Sequence, residues 1–91
     1  MPRFLIEVPH EAQKDACTRA VNAFLKSGSH FMTNADWGCS DNEHSAWIII
    51  EVDDKNEARN AIPQEFRADA KIVALEKFTL DPNKGPLAAH S

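Results

Sequence analysis

The chain has 91 residues, with 10 Lys and Arg against 14 Asp and Glu, and a formal net charge of −4. An apolar share of 43% and a charged share of 26% are typical of one soluble globular domain and exclude a disordered chain. The longest unbroken apolar run, residues 46–50, is far shorter than the ~20 residues of a membrane helix. The acidic balance and the lack of a basic stripe argue against nucleic-acid binding.

The N-terminal sequence and the cysteine usage favour the cytoplasm. Glu7 interrupts the apolar stretch that a secretory signal needs. Two cysteines, Cys17 and Cys39, do not make a disulfide framework. Because Cys17 falls within a helical pattern, we expect it to be a small buried apolar residue.

The first half of the chain predicts a strand, a helix and a second strand. Residues 3–8 alternate between two faces, as a strand does. Residues 11–26 carry an apolar stripe at helical spacing, and Gly28 follows as the expected left-handed C-terminal residue. Residues 29–39 form a less uniform pattern that we interpret as the second strand.

The second half predicts a hairpin partner, a short helix and a last strand. Turn-forming residues at 40–43 precede residues 45–52 (SAWIIIEV), which have the strongest strand character in the chain. Residues 54–62 predict a helix with Asp54 as N-cap and Glu57 three residues later. A polar connection over 64–71 leads to a strand over 72–80, and residues 81–91 are expected to be a tail.

The resulting order, β-α-β-β-α-β, predicts an α+β fold of the ferredoxin-like plan. In that plan a four-stranded antiparallel sheet has the spatial order 4-1-3-2, and both helices cover one face. We expect a single domain over residues 1–80, followed by the C-terminal tail over 81–91.

Polarity fixes a register for the predicted hairpin. If Cys39 faces His44, then Trp37 faces Ala46 and Asp36 faces Trp47. One face is then largely apolar and forms the core under the helices. The opposite, open face carries a mixed set: His30, Met32, Asn34, Asp36, Trp47, Ile49 and Glu51.

The outer strands add to this open face, which predicts a partner. We expect Leu5 and Glu7 from the first strand, and Ile72, Ala74, Glu76 and Phe78 from the last. An apolar patch of this size indicates an interaction surface, and a second copy stacked sheet against sheet is the simplest occupant. The sequence therefore predicts a homodimer.

The element order, and the opening PRFLIE, resemble the dimeric α+β barrel superfamily, which includes muconolactone-isomerase-like proteins and small antibiotic-biosynthesis-type monooxygenases. The resemblance covers residues 3–80 and is one of fold plan, without a matching catalytic motif. It implies that two facing sheets enclose a cavity for a small-molecule ligand.

Candidate site residues follow from this placement. Asp36 beside Trp47, and the mid-strand acids Glu7 and Glu51, are candidates for proton transfer in a partly dry cavity. The alternatives are a hydrogen bond from an indole or the backbone to Asp36, and ion pairs of the two glutamates with Arg3 or Lys77. The candidate ligand-binding residues are His30, Asn34, Trp47, Met32 and Phe78.

No cofactor or metal site is predicted. Cys39 and His44 meet at the hairpin tip, but a structural zinc site needs four ligands. Three functions stay open: a cytoplasmic homodimer with isomerase-like, cofactor-independent chemistry; a non-catalytic dimer that binds a metabolite or a metal ion; and a structural interaction module. Whether the chain is an enzyme is left open at this point.

Overall fold

The computed structural model describes residues 1–27, 30–81 and 85–89. Its elements are, in chain order, β1 (Arg3–Pro9), α1 (Lys14–Lys26), α2 (His30–Thr33), β2 (Asp36–Trp37), β3 (Ser45–Glu51), α3 (Lys55–Asn60), β4 (Lys71–Leu75), β5 (Lys77–Asp81) and β6 (Gly85–Ala89). Single 3-10 turns span Cys39–Asp41 and Gln64–Phe66. Within these residues no helix is long and apolar enough to cross a membrane.

The fold is α+β, with β1 to β4 in one antiparallel sheet. The strands lie in the order β2-β3-β1-β4, which is the same set of neighbours as 4-1-3-2 read from the opposite edge. β1 is a central strand with β3 on one side and β4 on the other. The alternation predicted for β1 is confirmed, because Phe4, Ile6 and Val8 are buried.

The buried face of the sheet and the helices above it form the core. From β3, Ala46, Ile48 and Ile50 are buried as predicted, and Met32, Phe24 and Ala58 reach the same core from the three helices. α1 begins at Lys14 rather than at residue 11, and the predicted terminating Gly28 lies outside the described residues.

The predicted cap of the short helix is confirmed. The backbone N–H of Glu57 donates to Asp54 Oδ1 at 2.8 Å, and the backbone N–H of Asp53 donates to Glu57 Oε2 at 2.7 Å. The first of these bonds satisfies a backbone donor that the first turn of a helix leaves unpaired, and the second ties the Glu57 side chain to the residue before the N-cap.

The prediction of a strand over 29–39 is wrong for most of its length. Residues 30–33 form a helical turn, closed by hydrogen bonds from Thr33 Oγ1 and Asn34 Nδ2 to the carbonyl of His30. A strand would send Phe31 and Met32 to opposite faces, whereas this turn packs both against the core. The short strand β2 follows it, and there the predicted partners are confirmed: Asp36 faces Trp47 and Trp37 faces Ala46.

The predicted faces of the last strand are also wrong. Ile72 faces Ile6 and Ala74 faces Phe4, so both belong to the helix-covered side, and Val73 lies on the open face instead. Alternate positions of β4 are apolar on both sides, so its sequence alone does not choose between two registers one residue apart.

Within the described part of the C-terminal segment, residues 77–81 and 85–89 form a second sheet. The predicted strand over 72–80 is divided at Glu76, and β5 pairs with β6 in a separate two-stranded antiparallel sheet. Phe78, expected on the open face, lies in this second sheet and is 62% exposed.

Two arginines hold the connection between α3 and β4. Arg67 donates from Nε to the carbonyl of Ile62 at 2.9 Å and from Nη2 to that of Asn60 at 3.1 Å. Arg59 Nη1 donates to the carbonyls of Arg67 and Ala70. These bonds satisfy carbonyls of a segment that has little regular secondary structure.

We therefore expect Arg67→Ala to lower the free energy of unfolding by about 2 kcal/mol, the usual effect of losing hydrogen bonds from a charged donor. Urea denaturation followed by circular dichroism measures the change. Lys55→Ala, at an exposed position of α3, is the control and should change stability by less than about 0.5 kcal/mol. Equal midpoints for the two variants would contradict the role given to Arg67.

Candidate functional site

The open face of the sheet contains four cross-strand rows, the last of which pairs Pro9 with Ser45, and the other three carry the candidate residues. The central row is apolar and contains Ile49, Leu5 and Val73. The Glu7 row contains Asp36, Trp47, Glu7 and Lys71, and the Arg3 row contains Glu51, Arg3 and Leu75. An apolar centre therefore lies between two rows that each carry acidic and basic side chains.

Glu7 and Trp47 form a polar pair within this face. Trp47 Nε1 donates to Glu7 Oε1 at 3.0 Å, and the bond is partly buried. Neighbouring positions on paired strands bring the two side chains together, since Glu7 and Trp47 are cross-strand partners. A carboxylate that accepts an indole N–H keeps further lone pairs with which to accept a donor.

Asp36 lies where the sequence predicts, opposite Trp47, and its side chain is exposed. The indole next to it donates to Glu7 instead. Asp36 and Glu7 therefore flank one tryptophan in the same row, and Glu7 is the more enclosed of the two carboxylates.

The two glutamates are not close neighbours. Glu51 is the cross-strand partner of Arg3, whereas Glu7 is four residues further along β1, a separation of about 13 Å at ~3.3 Å per residue. Glu7 and Glu51 therefore do not form a carboxylate pair within one copy of the chain. The neighbour of Glu51 is the arginine predicted as its alternative partner.

Three other predicted site residues lie away from the open face. Met32 is 1% exposed in the core, so its predicted place on that face is wrong. His30 and Asn34 are exposed at the helical turn α2 and its end, outside the sheet. The physical reason is shared: the segment coils, so alternate residues no longer line one face.

A cluster of histidine and cysteine side chains lies at the end of the sheet where β1 finishes and β3 begins. Cys17 of α1 and Cys39 of the β2–β3 turn form a disulfide with a Cα–Cα distance of 6.8 Å. The expectation that Cys17 is a small buried apolar residue is wrong, because its side chain is half-buried and the turn brings Cys39 to it. His10 Nε2 lies 3.3 Å from Cys39 Sγ.

His44 extends this cluster from the other end of the β2–β3 turn. Its ring centroid lies 5.6 Å from that of His10, and the backbone N–H of His10 donates to the carbonyl of His44 at 3.0 Å. Sequence reasoning found Cys39 and His44 but not His10 and Cys17, because nothing in their spacing along the chain shows that they meet.

Gly38 connects the cluster to the open face. A Cβ at this position would lie 2.7 Å from Trp47 Cζ3 and 2.8 Å from Glu43 Cβ, closer than real Cβ contacts. The turn that carries Cys39 therefore packs against the tryptophan of the open face, and a glycine is needed for that approach.

A pocket of about 410 Å³ opens beside His10. Its wall includes Ala16, next to Cys17 in the chain, and Phe66. The charged residues around it are Glu11, Arg19, Glu65 and Asp69. The pocket reaches His10 but is not lined by either cysteine.

Comparison of the chain with protein-family models, with curated proteins and with solved structures found no match.

Proposed function

We propose that this chain is a homodimeric binding domain of the ferredoxin-like plan. In this proposal two copies pair through their open faces in the cytoplasm and enclose a small-molecule site around Glu7 and Trp47. The observation that carries it is the apolar central row, with Ile49 57% exposed and Val73 37% exposed in the middle of a sheet face.

Burial of the central row supplies the driving force for pairing. Removing apolar surface from water is worth about 25 cal/mol per Å². Side chains of this size in the middle of a regular sheet are usually covered by a second layer. Because the helices already cover the opposite face, only the open face is left to take that layer.

The charge pattern favours a second copy as the occupant. A twofold axis along the central row stacks that row on itself and sets the Glu7 row of one copy against the Arg3 row of the other. Glu7 then faces an arginine and Trp47 faces the position of Glu51. A surface that is complementary to itself in this way fits an isologous interface.

The Glu7–Trp47 hydrogen bond suggests the chemistry of the ligand. In a closed interface this carboxylate is the polar group next to a large aromatic surface, which suits an aromatic molecule with an amine or hydroxyl donor. A desolvated carboxylate in contact with a ligand could also take and return a proton. Isomerase-like chemistry without a cofactor therefore belongs to the same proposal.

Light scattering coupled to size exclusion tests the dimer. We expect the wild-type chain to run as a dimer at micromolar concentration. Ile49→Glu should give a folded monomer, because it places charges in the centre of the apolar row. Asn56→Glu, at an exposed position of α3, is the control and should leave the dimer intact. A monomeric wild-type chain would overturn the proposal.

Tryptophan fluorescence tests the ligand site. In a Trp37→Phe background, Trp47 is the remaining tryptophan, and benzylamine should change its emission in a saturable way that Glu7→Gln abolishes. Benzoate, of similar size and opposite charge, should give no such change. A stable dimer without a response to benzylamine would instead favour a structural interaction module with a filled interface.

A further inference from the structure

Four side chains of the kinds that bind transition metals converge from three parts of the chain. His10 follows β1, Cys17 lies in α1, and Cys39 and His44 lie at the two ends of the β2–β3 turn. The ligand atoms of His10, Cys17 and Cys39 all lie within 4.8 Å of one another. This cluster shares no side chain with the Glu7–Trp47 pair, and the proposal made for it does not depend on the dimer.

The orientation of His10 suits a metal ligand. Its Nδ1 lies 3.0 Å from the carbonyl oxygen of Glu11, which can only accept, so Nδ1 carries the proton of the neutral ring. Nε2 then directs its lone pair at Cys39 Sγ, 3.3 Å away. Histidines that bind metals usually donate their other ring N–H to a carbonyl or carboxylate in this manner.

His44 is arranged in the complementary way. Its Nε2 lies 3.2 Å from Asn42 Oδ1, so Nε2 is the donor and Nδ1 is left with the lone pair. Within the described part of the chain, His44 Nδ1 is buried and has no hydrogen-bond partner. A buried acceptor without a partner is unfavourable in a folded protein, and a metal ion would satisfy it.

We propose that His10, Cys17, Cys39 and His44 bind one Zn²⁺ when the two cysteines are reduced, and that oxidation to the observed disulfide releases it. Two thiolates and two imidazoles are a common ligand set for tetrahedral zinc. Zn–S distances are about 2.3 Å and Zn–N distances about 2.0 Å. The ligand atoms of His10, Cys17 and Cys39 already lie close together, whereas those of His44 lie outside this group of three, so zinc binding requires the His44 ring to move towards the cysteines once the S–S bond is open. Harder cations such as Mg²⁺ prefer oxygen.

The exchange between the two states balances with a disulfide as oxidant. The zinc-bound dithiolate and one glutathione disulfide, with two protons, give the Cys17–Cys39 disulfide, two glutathione thiols and free Zn²⁺. One thiolate attacks the glutathione disulfide, and the second displaces glutathione from the mixed disulfide. Both cysteines are partly exposed, which leaves them accessible to the oxidant.

In this proposal the redox conditions of the compartment determine whether the zinc-bound form or the disulfide form is present. A reducing cytoplasm keeps cysteines as thiols and favours the zinc-bound form, whereas oxidising conditions favour the disulfide. In both states α1 is linked to the β2–β3 turn, through the disulfide in the oxidised form and through the zinc ion in the reduced form.

Cobalt substitution tests the site directly. The reduced chain, freed of reductant without air, is titrated with Co²⁺ as a spectroscopic substitute for Zn²⁺. We expect one ion per chain, intense visible bands of a tetrahedral site, and a near-ultraviolet band from thiolate-to-cobalt charge transfer. Added Zn²⁺ should displace the cobalt and remove these bands. A reduced wild-type chain without these bands would overturn the proposal.

Variants test the four-ligand assignment. Cys39→Ser should abolish the charge-transfer spectrum of a two-thiolate site. His44→Ala should weaken zinc binding at least ~100-fold, since even the loss of a residue behind a ligand weakens it ~10–100-fold. His30→Ala, at an exposed histidine, is the matched control and should bind normally. If His44→Ala also binds normally while circular dichroism shows native folding, the four-ligand site is refuted.

A separate experiment tests whether oxidation of the cysteines releases the zinc ion. Glutathione disulfide is added to the zinc-loaded chain in the presence of a chromophoric zinc indicator. We expect one Zn²⁺ to be released for every two protein thiols lost, with the same rate constant for both processes. Thiol loss that leaves zinc bound would contradict the exchange.

Discussion

Ile50→Asp should leave the chain unfolded. Ile50 is 3% exposed, in the middle of β3 and under the helices. The substitution removes a buried side chain, worth about 2–5 kcal/mol by comparison with truncation to alanine, and introduces a charge without a partner. The total stability of a domain this small is about 5–10 kcal/mol, so the native state does not survive. Circular dichroism and thermal unfolding measure the loss.

The neighbouring residue provides the matched control. Ile49→Asp changes the same type of residue in the same strand, but on the open face, where the isoleucine is exposed. This variant should keep the circular dichroism spectrum of a folded domain. A folded, thermally unchanged Ile50→Asp chain would refute the assignment of the two faces.

Reduction of the disulfide should lower the free energy of unfolding by about 3 kcal/mol in the absence of metal. The bond joins residues 22 positions apart, and loop closure of that length restricts the unfolded chain by about this amount. Urea denaturation of the oxidised chain, and of the reduced chain in the presence of a chelator, gives the difference. A small domain with a limited core depends strongly on such a cross-link.

A double variant, Cys17→Ala with Cys39→Ala, controls for effects of the reductant. Its denaturation midpoint should be the same with and without reductant. Zinc added to the reduced wild-type chain should recover part of the lost stability, because a ligand that binds only the folded state stabilises it. Identical midpoints for the oxidised and reduced wild-type chains would show that the cross-link contributes nothing.

The sequence was most informative where one face of a strand is buried. In β1 and β3 the alternation gives the bounds, the faces and the pairing of Asp36 with Trp47, because a shift by one residue would expose the core. The N-cap at Asp54 was also predicted correctly, because the start of a helix depends on local hydrogen bonds. These features rest on contacts within a few residues or on a strict period of two.

The sequence predicted the wrong structure for residues 30–33 and the wrong faces for β4, and the two errors have different causes. At 30–33, hydrogen bonds to the carbonyl of His30 and the burial of Met32 favour a helical turn over the weak strand pattern. In β4 both faces are apolar enough to be buried, and only pairing with β1 decides that Ile72 points inward. Tertiary packing therefore determines both the helical turn at 30–33 and the buried face of β4.

The candidate site residues also fall into those whose position the sequence predicts and those whose position depends on the fold. Trp47 and Glu7 were expected on the open face and lie there, since that placement needs only strand alternation. The meeting of His10 and Cys17 with Cys39 required the path of α1 back over the sheet. Spacing along the chain does not encode this path, so only half of the cluster could be found before the fold was known.

The Cys17–Cys39 bond makes a covalent ring of the segment between them, which contains most of α1 and all of α2 and β2. A protease that cuts once within this ring opens the backbone without separating the two pieces. The nicked molecule keeps the mass of the intact chain, apart from one added water, until a reductant is supplied. Limited digestion of a cell extract, analysed with and without reductant, therefore distinguishes the two oxidation states. A nicked chain with the disulfide separates into two fragments only after reduction, whereas a nicked chain with free thiols separates in both samples.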